Sequence, residues 1–168
     1  MKKTGFQEVI EQYDARIFNL LLSLCGNPEE AKELTQETFV RAYKSFKGFR
    51  QKSGIYTWLY RIAVNTWKNN LKYLSRHKTV PFDILSEDAL SNLKSPEISL
   101  YKNVEHSDTV RQIMKYIEEL PLKYKIPITL YINNLSYEEI AETMKRSVGQ
   151  SKSLVFRAKL LLINKISR

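Results

Sequence analysis

The chain is short of the residues that several protein classes require. Its one cysteine, Cys25, excludes an internal disulfide and favours a reducing compartment. Its two histidines, His77 and His106, lie far apart in sequence without partner cysteines, so they do not predict a zinc site. No apolar run approaches the roughly 20 residues of a membrane span, and no apolar segment follows the amino-terminal lysines as in a secretory signal. We therefore expect a cytoplasmic chain with no membrane insertion, metal or cofactor.

Acidic residues are missing from two long stretches. Residues 38–82 contain ten Lys or Arg and no Asp or Glu, and residues 145–168 contain seven Lys or Arg and again no acid. Residues 83–108, between them, hold six acidic and two basic side chains. Cationic blocks of this kind favour a nucleic-acid partner, because binding releases the counterions of its phosphates. The lack of acids in residues 38–82 argues against a metal-dependent nuclease or recombinase there.

Apolar residues at helical spacing predict two helices in the first 46 residues. The first runs from Phe6 and stops at Cys25 and Gly26, and the second starts with Asn27 as its cap and Pro28 in its first turn. We interpret the carboxylates of the second helix as a solvated face rather than a metal or acid-base cluster. Its expected inward side is Ala31, Leu34, Thr38, Phe39, Ala42, Tyr43 and Phe46.

The segment KGFRQKSGIY, which follows Phe46, combines glycines, cations and aromatic rings. This composition predicts a loop able to hold unstacked bases, because rings stack on bases and cations follow the phosphate backbone. The next helix is predicted from Tyr56 to about Arg76, with Trp58 in the core. Its core stripe is Leu59, Ile62, Ala63 and Thr66, and a separate polar and basic stripe comprises Arg61, Asn65, Lys68, Asn69, Lys72 and Arg76.

Two short helices joined by a turn are predicted at the carboxyl end, in LSYEEIAETMKRSVGQSKSLVFRAK. Ser136 with Glu139, and Ser147 with Gln150, have the spacing of capping boxes, which place both helix starts. The second helix is basic and carries an expected inward stripe at Val148, Val155, Ala158 and Leu162. The pattern indicates a helix-turn-helix whose second helix enters the major groove. The alternative is an ordinary helical hairpin whose cations solvate one face, and the earlier basic block favours DNA binding.

Two further helices are predicted before this pair. Apolar residues from Val110 to Leu120 form one face of a helix that Pro121 ends. A second helix follows from Leu122 to Asn133, and Pro127 inside it is expected to kink or restart it. Together with the carboxyl-terminal pair, these helices suffice for a compact core of three or four helices.

Three motifs in order, LTQETFVRAYKSFKGFR, YTWLYRIAVNTWKN and LSYEEIAETM followed by VGQSKSLVFRA, resemble bacterial sigma factors of the extracytoplasmic-function (ECF) group of the sigma-70 family. The resemblance covers most of residues 6–76 and 109–165. It implies an all-α chain of two small helical domains, residues 1–77 (sigma domain 2 type) and 108–168 (sigma domain 4 type), joined by a flexible linker at 78–107. In the family this linker threads past the polymerase active centre, and a simple tether is the alternative.

The resemblance also implies a function and a set of partners. Such a protein is not an enzyme: it binds core RNA polymerase, directs it to promoters, helps open the DNA and serves stress responses. It is expected to be a monomer when free and to have an inhibitory anti-sigma partner. Two rival functions are open, a polymerase-independent helix-turn-helix regulator that binds paired half-sites as a dimer, and a nucleic-acid enzyme.

Site residues follow from the resemblance at matching positions. Polymerase contacts are implied at Gln36, Glu37, Phe39 and Tyr43. Minus-ten DNA contacts are implied at Phe49, Lys52, Tyr56, Arg61, Asn65, Lys68 and Lys72, the last two on phosphates. Minus-thirty-five contacts are implied at Tyr137, Glu138, Lys152, Ser153, Phe156 and Arg157. The sequence departs from the family pattern at Leu154, where arginine is usual, and at Gln150 and Ser151, and so does not predict a promoter sequence.

Overall fold

A computed structural model of the chain describes residues 5–47, 49, 54–77 and 108–167. These residues form seven α-helices and no β-strand, which confirms the predicted all-α class. The predicted linker, residues 78–107, lies outside the described residues. The helices are α1 (Phe6–Cys25), α2 (Pro28–Phe46), α3 (Ile55–His77), α4 (Asp108–Glu118), α5 (Leu122–Ile132), α6 (Tyr137–Met144) and α7 (Val148–Ile166).

The helices α1, α2 and α3 pack against one another and form the first unit. The turn between α1 and α2 follows the predicted chemistry. Gly26 adopts a φ of 72° and donates its N–H to the Leu22 carbonyl at 2.8 Å, which ends α1. Asn27 caps α2, because its Oδ1 accepts from the N–H groups of Glu29 and Glu30 at 2.9 and 3.1 Å. The core of this unit includes Ile17, Leu20, Leu21, Leu24, Ala31, Leu34, Leu59, Ala63 and Trp67.

Most of the predicted core faces are confirmed, with one clear error in α2. Tyr43 was expected to face inward, but its side chain is 66% exposed. Phe46 is half-buried, and Thr35, which the pattern missed, is buried with its hydroxyl donating to the Ala31 carbonyl at 2.7 Å. That internal hydrogen bond allows a polar residue to occupy the core. Trp58 is buried as predicted.

The helices α4 to α7 form the second unit, and both predicted capping boxes are present. Ser136 Oγ accepts from the Glu139 N–H at 3.2 Å, and Ser147 Oγ accepts from the Gln150 N–H at 3.2 Å. Lys145 ends α6 in the left-handed region, at φ 52°. The predicted stripe of α7 is buried at Val155, Ala158 and Leu162 and half-buried at Val148.

The helix α5 connects the two units. It packs against α6 and α7 on one side and against α1 on the other, while α3 packs against α6. It remains a single helix across Pro127, so the predicted restart does not occur. Across the same boundary the Tyr56 hydroxyl donates to the Asn133 carbonyl at 3.3 Å. The two units therefore share one continuous apolar core. A cleft lies outside this core, between α3 and the α6–α7 turn.

Candidate nucleic-acid interface

One side of α3 brings together four of the sequence-predicted DNA contacts. Arg61, Asn65, Lys68 and Lys72 are spaced by four, three and four residues, which places them on one helical face. Asn65 is exposed and the other three side chains are half-buried. The opposite face of α3 carries buried residues including Leu59, Ala63 and Trp67, so core packing sets the direction of the polar face.

The aromatic residues predicted near the start of α3 are partly engaged within the protein. The Phe49 ring lies 4.8 Å from the Trp58 ring centre. The Tyr56 ring lies 4.3 Å from that of Tyr60, and its hydroxyl bonds the second unit as described above. Both rings are half-buried. Lys52, the remaining predicted contact in this loop, lies outside the described residues.

The second candidate surface lies on α7 and the start of α6. Lys152, Ser153 and Arg157 are exposed on α7, and Phe156 is 62% exposed. Glu138 is also exposed, so five of the six predicted minus-thirty-five residues are open to a partner. The helix-turn-helix geometry places them on its outer side, because Val155, Ala158 and Leu162 fill the inner side.

Tyr137, the sixth predicted residue, belongs to an aromatic and cationic cluster. Its ring stacks on Tyr131 at 5.7 Å, and Lys152 Nζ lies 5.6 Å from the Tyr137 ring centre. Lys159 Nζ lies 3.8 Å from the Tyr131 ring centre and lowers the pKa of the Tyr131 hydroxyl through a hydrogen bond and its charge. The sequence interpretation missed Tyr131 and Lys159, although the spacing of Lys152 and Lys159 on one helix was a usable signal.

The interunit cleft, as we call the space between α3 and the second unit, encloses about 410 Å³. Asn65, Lys68 and Lys72 line it from α3. The second unit contributes Leu122, Lys123, Ile126, Thr143, Met144, Lys145, Arg146 and Gln150. The sequence interpretation missed this cleft, because the spacing of residues within a helix carries no information on how two units pack.

An apolar groove lies on the first unit, between α1 and α2. It has a volume of about 570 Å³ and is lined by Phe6, Gln7, Ile10, Phe39, Val40, Tyr43 and Lys44. Two of the predicted polymerase contacts, Phe39 and Tyr43, are in this lining; Phe39 is 7% exposed and Tyr43 projects outward. The other two, Gln36 and Glu37, are exposed on the same helix, and Glu37 accepts from Arg41 Nε at 2.9 Å.

A buried lysine lies where the units meet. Lys125 of α5 is 2% exposed, and desolvation lowers its pKa to about 8 although Glu118, Cys25 and Glu30 favour the charged form. Burial raises the pKa of the Cys25 thiol to about 11. Glu30 accepts a hydrogen bond from Asn70 Nδ2 at 2.8 Å, yet burial still raises the pKa of Glu30. The helix Leu122–Ile132 is apolar almost all round, and that pattern was the available signal for its burial on two sides.

The described residues offer neither a metal site nor a membrane-spanning helix. No three His, Cys, Asp or Glu side chains within residues 5–47, 49, 54–77 and 108–167 gather into a possible metal site. No helix in these ranges has both the length and the apolar content to cross a membrane.

Comparison with known families identifies both units. Residues 9–77 match the family model for sigma-70 region 2, and residues 110–162 match the model for sigma-70 region 4. A curated ECF RNA polymerase sigma-E factor from Haemophilus influenzae is 38% identical to the chain, over 95% of the chain and 92% of that protein. The chain belongs to the ECF group of the sigma-70 family. The predicted resemblance is therefore confirmed.

Other relatives of this sigma factor agree. The RNA polymerase sigma-H factor of Pseudomonas aeruginosa is 36% identical over 94% of the chain and 83% of the relative. The ECF RNA polymerase sigma-E factor of Escherichia coli K12 is 36% identical over 95% of the chain and 91% of the relative. Sigma factors are initiation factors that act with RNA polymerase and are not enzymes, so the family supports the predicted function over the polymerase-independent regulator.

Two solved structures share the fold of this sigma factor. One is the sigma factor RpoE in complex with the anti-sigma factor NepR from Bartonella quintana, with a TM-score of 0.77, 20% identity and 96% coverage of both chains. The other is CnrH in complex with the cytosolic domain of CnrY, with a TM-score of 0.68 and 16% identity, covering 96% of this chain and 87% of CnrH.

Proposed function

We propose that this ECF sigma factor divides promoter recognition between its two units. Residues 1–77 bind core polymerase and recognise and open the minus-ten element, residues 108–168 recognise the minus-thirty-five element, and residues 78–107 link them. The observation that carries this proposal is the order of the two matched regions along a chain with two separate cationic blocks. We also place its action in the cytoplasm, where RNA polymerase works.

The apolar groove of the first unit is the proposed polymerase-binding surface. Exposed Tyr43 and Val40 provide apolar area that a protein partner can bury, and Gln36 and Glu37 provide a polar margin beside it. An exposed aromatic beside an apolar depression is a common arrangement at protein interfaces. This proposal also supplies a reason for the exposure of Tyr43, which the fold alone does not require.

The polar face of α3 is the proposed minus-ten surface. Lys68 and Lys72 are suited to phosphate contacts, Arg61 and Asn65 can bond base edges, and Phe49, Lys52 and Tyr56 complete the set. Asn65 and both lysines also line the interunit cleft, so DNA bound to this face would lie beside the second unit.

The outer side of α7 is the proposed minus-thirty-five surface. Lys152 and Arg157 can hold phosphates or guanine edges, Ser153 can bond either, and Phe156 offers an apolar contact. Tyr137 and Glu138 approach the same surface from α6. The full set of residues is already exposed or half-buried here, so this unit can dock on DNA without refolding.

An anti-sigma factor is the proposed inhibitory partner. The two solved structures that share the fold are both complexes of a sigma factor with another protein, and one of these partners is titled an anti-sigma factor. Copurification tests whether such a partner exists. The chain should copurify with a protein, in a one-to-one ratio, that inhibits its activity in transcription.

A reconstituted transcription assay with bacterial core polymerase tests the proposed function. Adding the chain should produce promoter-dependent transcripts, and Asn65→Ala or Arg157→Ala should lower their yield by about tenfold, since a base or phosphate contact is worth roughly 1–3 kcal/mol. The matched control is Lys32→Ala, an exposed lysine of α2 outside both surfaces. Unchanged transcription in the presence of correctly folded chain would contradict the proposal, and a shift of duplex DNA without polymerase would support the rival regulator.

A further inference from the structure

The interunit cleft gathers positive charge that the two promoter surfaces do not account for. Five lining residues are cations from three separate segments: Lys68 and Lys72 from α3, Lys123 from the start of α5, and Lys145 and Arg146 from the α6–α7 turn. Of the described residues that line the cleft, none is Asp or Glu. The last three cations are outside the predicted DNA-contact set. Packing of the two units therefore concentrates like charges from both.

These cations line a single cleft, so an anion inside it can meet charges from both units. The cleft has a volume of about 410 Å³. An anion inside the cleft would contact both units at once.

The rest of the lining indicates the size and kind of anion. Part of the lining is apolar and consists of Leu122, Ile126 and Met144. Thr143 also lines the cleft, and its buried hydroxyl has no hydrogen-bond partner among the described residues. Ammonium and guanidinium groups form strong charge-assisted hydrogen bonds with phosphate oxygens. The volume of the cleft, about 410 Å³, is sufficient for a small oligophosphate anion.

We propose that the interunit cleft binds a small oligophosphate anion, which bridges the two units and stabilises their packed arrangement. The anion occupies the space beside Asn65, Lys68 and Lys72, so it competes with the DNA that the same side chains are proposed to contact. This adds a small-molecule ligand to the proposed function, and its binding is measurable without polymerase or promoter.

The first experiment is calorimetric titration of the full chain with inorganic tripolyphosphate, in magnesium-free buffer at fixed ionic strength. We expect saturable binding with one site per chain, tighter than for orthophosphate or citrate. Citrate binding as tight as tripolyphosphate binding would indicate a general attraction for anions and would overturn the proposal. A parallel titration with ATP distinguishes the source of the phosphate. If ATP and tripolyphosphate bind with equal affinity, the cleft recognises the phosphate chain alone. If ATP binds more tightly, the nucleoside also contacts the cleft.

The variant pair Lys145→Gln with Arg146→Gln locates the site. We expect binding at least about tenfold weaker, because two charge-assisted contacts are lost. The matched control is the double variant Lys32→Gln with Lys115→Gln. It also removes two positive charges, but from exposed lysines outside the cleft. A second pair, Lys123→Gln with Arg146→Gln, leaves the left-handed residue Lys145 intact and should weaken binding similarly. Equal weakening in the control pair would overturn the site assignment.

Bridging is tested by combining substitutions across the cleft. Lys72→Gln from the first unit and Lys145→Gln from the second should show non-additive effects on tripolyphosphate affinity, because one anion contacts both. Strictly additive effects would contradict bridging. A ten-residue thymidine oligonucleotide provides the last comparison: if it binds more tightly than tripolyphosphate with the same variant sensitivity, the ligand is a nucleic-acid strand and the small-anion proposal fails.

Discussion

Lys125 of the second unit lies beside Trp67 of the first, with its ammonium nitrogen 5.6 Å from the centre of the tryptophan ring. Both side chains are buried. A cation near an aromatic face gains electrostatic stabilisation, but burial of the charge costs more, as the lowered pKa of Lys125 indicates. The contact between the two units is therefore coupled to the protonation of this lysine.

The stability of the packed chain should rise with pH between about 8 and 9. Lys125 has a pKa of about 8 in the folded chain against an ordinary value of 10.5, so over this range the unfolded chain binds more protons. The gain should be about 1 kcal/mol from this one group. Above pH 9 the Cys25 thiol acts in the opposite direction, because its pKa is raised from 9.0 to about 11.

Urea unfolding at closely spaced pH values measures this dependence. Lys125→Met should remove the rise between pH 8 and 9, whereas Lys115→Met, which changes an exposed lysine of α4, should retain it. The assignment to Lys125 fails if the native chain and Lys125→Met change stability in parallel over that range.

The Cys25 thiol should react slowly with a disulfide reagent in the native chain. It is buried, and a pKa raised from 9.0 to about 11 lowers its thiolate fraction at pH 8 by about 100-fold. Labelling with Ellman's reagent, compared with and without 8 M urea as denaturant, measures the protection. Native labelling as fast as that of the unfolded chain would show that the end of α1 is open to solvent.

Tyr56→Phe should weaken the packing of the two units. The substitution deletes the hydroxyl that donates to the Asn133 carbonyl at 3.3 Å and should cost roughly 0.5–1.5 kcal/mol. Urea unfolding provides the measurement. Tyr43→Phe is the control, because its exposed hydroxyl faces solvent and its loss should leave stability unchanged. Equal stability of both variants would mean that this hydrogen bond contributes nothing.

Asn27→Ala should destabilise the first unit by about 1 kcal/mol, through loss of the α2 cap. Asn27 Oδ1 accepts from two backbone N–H groups, and alanine leaves both without that partner. Thermal unfolding followed by circular dichroism checks the effect. Asn27→Asp retains the acceptor and should unfold near the native temperature; a loss as large as that of alanine would argue against capping.

Leu20→Ala should cost roughly 2–5 kcal/mol, because it opens a cavity in a core position that is 0% exposed. Leu74→Ala, at an exposed leucine of α3, should cost far less. Chemical denaturation of the two variants gives the comparison. Similar losses in both would show that Leu20 does not occupy a tightly packed core.

Local interactions explain why much of the fold was predictable. The caps at Asn27, Ser136 and Ser147 connect residues no more than three apart, so their spacing in sequence is sufficient to place the helix starts. The buried stripe of α7 likewise follows from helical periodicity. Tyr43 shows the limit of this reasoning: its position in α2 fits an inward stripe, but its ring meets only the edge of Phe6 on α1 and stays 66% exposed.

The candidate site was predictable only in part for the same reason. Four residues of α3 share a face because they are spaced by three or four positions along one helix: Arg61, Asn65, Lys68 and Lys72. The resemblance to the family also pointed to them. Two of these cations, Lys68 and Lys72, share the interunit cleft with Lys123, Lys145 and Arg146 of the second unit. This arrangement exists only when α3 packs near the α6–α7 turn. No spacing rule within a single helix contains that information.

By itself the sequence determined the helices, their caps, the two cationic blocks and the sigma-70 motifs, since each depends on neighbours along the chain. Only the tertiary structure decided that Tyr56 bonds Asn133, that Lys125 is buried beside Trp67 and that the cations of both units meet in one cleft. These features join residues more than 50 positions apart, and their energies depend on desolvation and charge proximity that exist only after the units have packed.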